Sequence, residues 1–118
     1  MSVPRIAAIN LDCADPVALA RFWAAMLDGE MAIETPGFCA VKTGTMYLGA
    51  VRVDDHRPPT WPSNERPQQL HLDLAVEDLD AAEREAIRLG ATAETSQPGR
   101  ERFRVLRDPA GHPFCLRA

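Results

Sequence analysis

The sequence has 118 residues, of which 46% are hydrophobic and 25% are charged, and its formal net charge is −4 at pH 7. A chain of this length is expected to form one compact domain, or two small halves that share a core, and its composition argues against intrinsic disorder. The 13 basic residues are mixed with 17 acidic ones and form no basic stripe, so nucleic acid is not an expected partner. No apolar run approaches the ~20 residues that a membrane span needs.

The N-terminal residues and the cysteines are also those of a globular protein outside the membrane. The first residues, MSVPRIAAINLDCADP, contain acids where a signal peptide needs a continuous apolar stretch. The three cysteines lack CxxC spacing, which predicts reduced thiols and not a disulfide framework. We therefore expect a soluble, cytoplasmic protein with no membrane partner.

The chain contains an internal repeat. The segments IAAINLDCADPVALARFWAAMLDGE and QQLHLDLAVEDLDAAEREAIRLGAT each read as a short strand, an acid and a helix. Asp15 and Asp78 are the predicted N-caps of the two helices, with Pro16 at the first helical position of the first helix. Gly90 is predicted to end the second helix, because glycine tolerates the left-handed conformation found there.

A β-rich tail follows each helix. GFCAVKTGTMYLGAVRV reads as strands broken near Gly44, and RFRVLRDPAGHPFCLRA reads as a hairpin with its turn at 108–111. Between the halves, DDHRPPTWPSNERP is too rich in proline for a helix or a central strand. The prediction is an α+β fold of two βαβββ modules that form a curved, cupped mixed sheet with the helices on its outer face. The expected boundaries are about 1–54 for module one, about 55–67 for the linker and about 68–118 for module two, within a single domain.

Alternation along the two leading strands predicts one polar face in each module. Asn10 and Asp12 share a face of the first strand, and His71 and Asp73 share the equivalent face of the second. The opposite, apolar face must lie under the following helix. Two interpretations remain open: the polar face is simply in water, or it lines a pocket. The repeat favours the pocket, because two half-sheets with matching polar faces can close around a shared cleft.

Cys115 is predicted to lie on the pocket wall. It follows His112 by three residues, so in a regular strand the two side chains point to opposite faces. This geometry argues against a Cys–His nucleophile pair, which needs hydrogen-bond contact. Phe114 and Leu116 are assigned to the helix side, which places Cys115 on the polar face.

Several other residues have more than one interpretation. Trp61, in the proline-rich linker, could stack on a flat ligand or could pin the linker to the core. Phe103 is one of the strand residues that could form an apolar wall. Arg104, Arg107 and Arg117 are predicted to be solvated charges at a sheet edge, although Arg117 could face the pocket by its parity with the cysteine.

The paired modules, the stretch HLDLAVEDLDAA…LGA and the closing DPAGHPFCL resemble the vicinal oxygen chelate superfamily, which includes glyoxalase I, extradiol dioxygenases and bleomycin-resistance proteins. The likeness covers essentially the whole chain. HRPPTWPSNERPQQLHLDL resembles a glyoxalase-like branch of that superfamily. The resemblance implies a homodimer, since related small members bury their sheet edges and complete their clefts with a second chain.

In metal-dependent members of the superfamily, each module offers one ligand from its first strand and one from its last. Carried over to this sequence, those positions are Ala8, Val51, His71 and Cys115, with Gly49 as the alternative to Val51. Alanine and valine cannot coordinate an ion, and Cys115 stands where the family has a glutamate. A catalytic divalent ion needs about three protein ligands. The resemblance therefore implies that no metal cofactor is bound and that Cys115 is a small pocket-lining residue.

Three functions remain open. The leading prediction is a small-molecule-binding protein without a metal or other cofactor. Its predicted ligand-binding residues are Asn10, Asp12, Trp61, His71, Asp73 and Cys115. The alternative is a lyase, isomerase or dioxygenase-like enzyme that uses His71 with Asp73 or Asp12 as acid–base groups or as an unusual metal site. A third is a non-catalytic partner that docks through the sheet face, which the polar residues of that face disfavour.

Overall fold

The computed structural model describes residues 2–118, and Met1, the first residue of predicted module one, lies outside this range. The chain divides into two compact units, the first ending at His56 and the second spanning Arg57–Ala118. The first unit contains β1 (Ala8–Cys13), α1 (Pro16–Leu27), β2 (Glu30–Glu34), β3 (Phe38–Lys42) and β4 (Tyr47–Arg52). The second contains β5 (Leu72–Ala75), α2 (Leu79–Leu89), β6 (Thr92–Ala93), β7 (Phe103–Arg107) and β8 (Pro113–Arg117). The predicted α+β fold of two βαβββ modules is confirmed.

Both helices begin where the sequence predicts. The Asp15 carboxylate accepts the N–H of Ala18 at 3.2 Å, and the Asp78 carboxylate accepts the N–H of Ala81 at 3.1 Å. Gly90 caps the end of α2 with φ at 125°, a conformation that side chains rarely adopt. With 12 and 11 residues, α1 and α2 fall short of a bilayer, and no helix in the described part of the chain could cross a membrane.

The two units share one sheet topology. The first sheet has the order β1-β4-β3-β2 and the second has the order β5-β8-β7-β6. In each sheet the first and last strands of the unit pair in parallel, and the other neighbours are antiparallel. The first strand of each unit therefore lies at a sheet edge, with the last strand of the unit as its neighbour.

The helix side of each sheet forms the core. Phe114 and Leu116 of β8 are 1% and 0% exposed, on the helix side as predicted. In the first unit Trp23 is buried under its own helix and meets Phe22 edge-to-face, with ring centroids 5.1 Å apart. In the second unit the opposite face carries Asp73 and Cys115, whose side chains are partly exposed.

Arg104 is not the solvated sheet-edge charge that the sequence suggested. β7 lies between β8 and β6, and the parity of Arg104 places it on the helix side, where it is 8% exposed. Its Nη1 lies 2.7 Å from Glu83 Oε1 and 3.0 Å from Asp80 Oδ1, both on α2. The hydrogen bond to Glu83 raises the pKa of the Arg104 guanidinium above its ordinary value. The prediction was wrong because strand order cannot be read from a single strand.

Arg107, too, is not the solvated sheet-edge charge that the sequence suggested. It lies on the other face of β7, pairs with Glu94, and donates from Nη1 to the carbonyl of Pro59 at 3.0 Å. Arg107 therefore holds the proline-rich segment to the sheet of the second unit.

We expect Arg104→Ala to lower the melting temperature more than Arg88→Ala. Loss of Arg104 leaves the largely buried Glu83 carboxylate, 15% exposed, without this partner, and removing one member of a buried pair is strongly destabilising. The Arg88–Glu85 pair is a matched control, because its side chains are 68% and 52% exposed and such pairs contribute little. Thermal unfolding followed by circular dichroism measures both variants. Equal melting temperatures would contradict a stabilising role for Arg104.

Candidate functional site

Three side chains with metal-ligating or acid–base chemistry converge at the edge of the second sheet. His71 directly precedes β5 and Asp73 lies two residues further on, so both point to the same face. Asp73 pairs in register with Cys115 on the neighbouring strand β8. One ligand atom from each of the three lies within 4.8 Å of the others. The structure thus brings together half of the predicted ligand-binding residues.

The turn before β8 fixes where Cys115 points. Asp108 is 4% exposed, and its Oδ1 accepts the N–H groups of Ala110 and His112 at 2.9 and 3.0 Å. The N–H of Gly111 donates to the Asp108 carbonyl at 2.9 Å, which closes the predicted turn. Gly111 has φ at 88°, where a non-glycine residue is strained. This turn sets the register of the hairpin that presents Cys115.

Asp73 is the electrostatic centre of the cluster. Its Oδ1 lies 3.3 Å from His71 Nε2, and its Oδ2 lies 3.5 Å from Arg117 Nη1. Burial and the neighbouring Asp73 carboxylate raise the pKa of the Cys115 thiol, while Arg117 acts in the opposite direction. A raised pKa disfavours the thiolate, so the free protein does not present Cys115 as an activated nucleophile.

An open pocket of about 520 Å³ lies over this face of the second unit. Its lining residues are His71, Asp73, Arg102, Phe103, Cys115, Arg117 and Ala118. The volume falls within the ~300–1,000 Å³ typical of small-molecule sites. The pocket therefore combines two guanidinium groups with a carboxylate, an imidazole, a thiol and an aromatic ring.

Arg102 is a lining residue that the sequence analysis missed. The N–H of Ala118 donates to the Arg102 carbonyl at 3.4 Å, and the adjacent residues Phe103 and Arg117 pair in register. The hairpin register sets Phe103 opposite Arg117 and Arg102 one step beyond, but continued alternation would assign Arg102 to the helix side with Arg104. Arg102 lines the pocket because it lies outside β7, where the strand alternation no longer holds.

The other three predicted ligand-binding residues do not line this pocket. Asn10 and Asp12 are exposed residues of β1 in the first unit. Trp61 is half-buried in the segment before β5, where Arg107 donates to its carbonyl at 3.5 Å as well as to that of Pro59. These bonds hold the segment through its backbone and leave the role of the indole ring open. Contacts of all three residues with a ligand remain predictions.

The four-ligand metal set of the superfamily's metal-dependent members does not fit the residues of the first unit. In the register that the two units share, the equivalent of Cys115 is Gly49 and not Val51. A Cβ at position 49 would overlap Asn10 Oδ1, so the amide of Asn10 occupies the space that a ligand side chain would need. Ala8, the remaining position of the set, offers no donor atom in its side chain.

The repeated βαβββ unit, with a polar sheet face opposite its helix, defines a protein of the vicinal oxygen chelate fold, and the predicted resemblance is confirmed. The chain belongs to the glyoxalase-like domain family, which matches residues 8–117. A search of curated proteins found no match.

Solved structures share this fold at low sequence identity. A possible glyoxalase from Bacillus cereus has a TM-score of 0.72 at 16% identity, covering 98% of this chain and 100% of that one. The fosfomycin resistance protein FosX from Mesorhizobium loti has a TM-score of 0.71 at 14% identity, covering 98% and 92%. The bleomycin-binding protein from Streptomyces verticillus, complexed with copper(II)-bleomycin, has a TM-score of 0.62 at 21% identity, covering 100% and 98%. At these identities the likeness shows the fold alone.

Proposed function

We propose that this chain binds a small molecule in the pocket of the second unit. The observation that carries the proposal is the convergence of His71, Asp73 and Cys115 with an aromatic ring and two arginines around an open space of about 520 Å³. Ligand sites commonly combine apolar walls with a few convergent polar groups. The bleomycin-binding protein of Streptomyces verticillus offers a precedent for ligand binding on this fold.

The lining residues indicate which chemistry the ligand carries. Arg102 and Arg117 bring two positive charges, and the side-chain carboxylate of Asp73 is already paired with Arg117 and His71. Guanidinium groups recognise carboxylates and phosphates through paired hydrogen bonds. Phe103 provides a ring against which a flat apolar group can pack. The proposed ligand therefore joins an anionic group to an aromatic or apolar part, and its binding does not need the superfamily's four-ligand metal set.

A thermal-shift screen of aromatic and aliphatic carboxylates, phosphonates and phosphates tests this proposal. A compound present at 100 times its Kd is expected to stabilise the fold by about 2.7 kcal/mol. Phe103→Ala and Arg102→Ala should reduce the shift, because each removes one half of the proposed recognition. Arg52→Ala is the matched control, since Arg52 is an exposed arginine of the first unit. Shifts that are equal in all three variants would place the ligand elsewhere.

A second candidate function is acid–base catalysis in the same pocket. The observation that favours it is the 3.3 Å separation of His71 Nε2 and Asp73 Oδ1, since a carboxylate at this distance can orient an imidazole for proton transfer. Each compound that stabilises the protein should be incubated with it and analysed by mass spectrometry. Turnover that is lost in His71→Gln and in Asp73→Asn would support catalysis. Compounds that are recovered unchanged, or turnover that neither substitution affects, would contradict it.

The homodimer and the cytoplasmic location stay predictions, the first from the resemblance and the second from composition. Light scattering coupled to size-exclusion chromatography is expected to give twice the chain mass of 13.0 kDa. A mass of one chain across the concentration range would contradict the dimer.

A further inference from the structure

We infer that the second unit carries a Zn²⁺ site of its own, formed by the imidazole of His71, one carboxylate oxygen of Asp73 and the thiolate of Cys115. All three ligands belong to one βαβββ unit. His71 and Cys115 occupy two of the four positions carried over from metal-dependent members, whereas Asp73 is not one of them. The three-ligand site therefore differs from the four-ligand set, which needs donors that the first unit lacks. The inference is independent of the proposed function, because a cation can bind whether or not an organic molecule does.

The distances between the donors suit a small tetrahedral ion. Zinc bonds of about 2.0–2.3 Å at tetrahedral angles set neighbouring donor atoms roughly 3.3–3.7 Å apart. His71 Nε2 and Asp73 Oδ1 are already 3.3 Å apart, and the ligand atoms of all three residues lie within 4.8 Å of one another. Closing the remaining gap takes a side-chain shift of roughly 1 Å. The side chains of His71 and Asp73 are 43% and 41% exposed, which leaves them free to make it.

The backbone brings these donors together without a loop rearrangement. His71 and Asp73 lie two residues apart along one strand direction and so share a face. Cys115 is the direct partner of Asp73 in the parallel pair of β5 and β8. The hairpin turn held by Asp108 fixes the register of the strand that carries the thiol. Two donors on paired strands and a third directly before one of them form a site that is largely organised before the ion arrives.

The donor types select the ion. Imidazole nitrogen and thiolate sulfur favour Zn²⁺, whereas Mg²⁺ and Ca²⁺ prefer sites made of oxygen ligands. One carboxylate and one thiolate together balance the charge of a divalent ion. Three protein donors leave a fourth position open, and in this chain that position faces the pocket.

Arg117 orients the carboxylate and does not block it. Its Nη1 lies 3.5 Å from Asp73 Oδ2, while Oδ1 is the oxygen that faces His71. The two oxygens therefore have separate partners, and Oδ1 can coordinate the ion while Oδ2 stays paired with Arg117. A hydrogen-bond or ion-pair partner of a metal-binding carboxylate, such as Arg117 here, holds the carboxylate in the orientation that the ion needs.

Cobalt binding to the chelator-treated 118-residue chain tests the inference, because Co²⁺ is a spectroscopic substitute for Zn²⁺. The wild-type chain should bind one Co²⁺ and show a thiolate-to-cobalt charge-transfer band in the near ultraviolet, which added Zn²⁺ should bleach. Cys115→Ser should abolish the band, and His71→Ala and Asp73→Asn should each weaken the Kd at least about tenfold. His56→Ala and Asp54→Asn are matched controls outside the cluster, and both should bind as the wild type does.

The wild-type protein alone can overturn the inference, so this test does not depend on whether any variant folds. Absence of the charge-transfer band at stoichiometric Co²⁺ would exclude the site. A band that persists in Cys115→Ser, or an affinity that His71→Ala leaves unchanged, would assign the ion to other residues. Melting curves of each variant, recorded without metal, show that a loss of binding does not reflect unfolding.

Discussion

Replacing Phe114 by alanine should lower the free energy of unfolding by about 3–5 kcal/mol, the usual cost of removing a buried phenylalanine. Phe114 is 1% exposed and is among the largest fully buried side chains. It lies on the helix side of β8, so its loss leaves a cavity in the core of the second unit. Urea denaturation followed by circular dichroism measures the difference between the two proteins.

The neighbouring residue provides the control for Phe114. Cys115 is half-buried on the opposite face of the same strand, where the pocket lies, so Cys115→Ser should cost less than about 1 kcal/mol. A large difference between the stability losses at positions 114 and 115 is expected for a strand with one face in the core and the other in the pocket. Equal losses at both positions would contradict this assignment of the two faces.

Replacing Asp108 by alanine should cost about 3 kcal/mol, taking roughly 1.5 kcal/mol for each of two charge-assisted hydrogen bonds. The Asp108 carboxylate is buried and accepts the N–H groups of Ala110 and His112, and alanine removes this acceptor from both. Because this turn sets the register of β8, the variant should also reduce the thermal shift given by pocket ligands. Denaturant unfolding and the thermal-shift screen measure the two effects.

Asp108→Asn separates the hydrogen bonds from other effects of the substitution. Asparagine keeps one oxygen that can accept both N–H groups, while it loses the charge and replaces the second oxygen with an NH2 group. It should therefore retain more than half of the stability that alanine loses. If Asp108→Ala unfolded at the same urea concentration as the wild type, the turn would not depend on these bonds.

The parts of the fold that depend on neighbouring residues could be predicted from the sequence. The two N-caps require only a short polar side chain before an apolar helical pattern, and Asp15 and Asp78 both have that setting. Alternation along a strand also needs no distant information, and Phe114 and Leu116 were assigned to the helix side correctly. Comparison of two copies of the same unit strengthened each of these predictions.

The errors concerned features that depend on strand order and cross-strand register. Arg104 was taken for an edge charge, although β7 is an inner strand and the guanidinium pairs under α2. Val51 was preferred to Gly49 as the counterpart of Cys115, although the pairing of β1 with β4 selects Gly49. Strand order and cross-strand register cannot be read from the sequence of one strand, because both depend on how separate segments pair.

In the candidate site, too, local patterns could be predicted and features beyond the strand ends could not. His71 and Asp73 were placed on one face by their spacing alone, and the position of Cys115 followed from parity. Arg102 was missed because it lies beyond the end of β7, where alternation gives no signal. The register counted outward from Gly111 gives the neighbours of Arg102, but its parity with Arg104 would assign the side chain to the helix side.

The measurement that tests the central claim most directly is amide chemical-shift mapping of the ¹⁵N-labelled 118-residue chain. It should be made with the compound that gives the largest stabilisation in the thermal-shift screen. If the second unit holds the ligand pocket, the largest perturbations will fall at residues 71–73, 102–103 and 115–117, which surround it. Perturbations that leave these three segments unchanged and fall within residues 2–56 would place the ligand in the first unit and contradict the account.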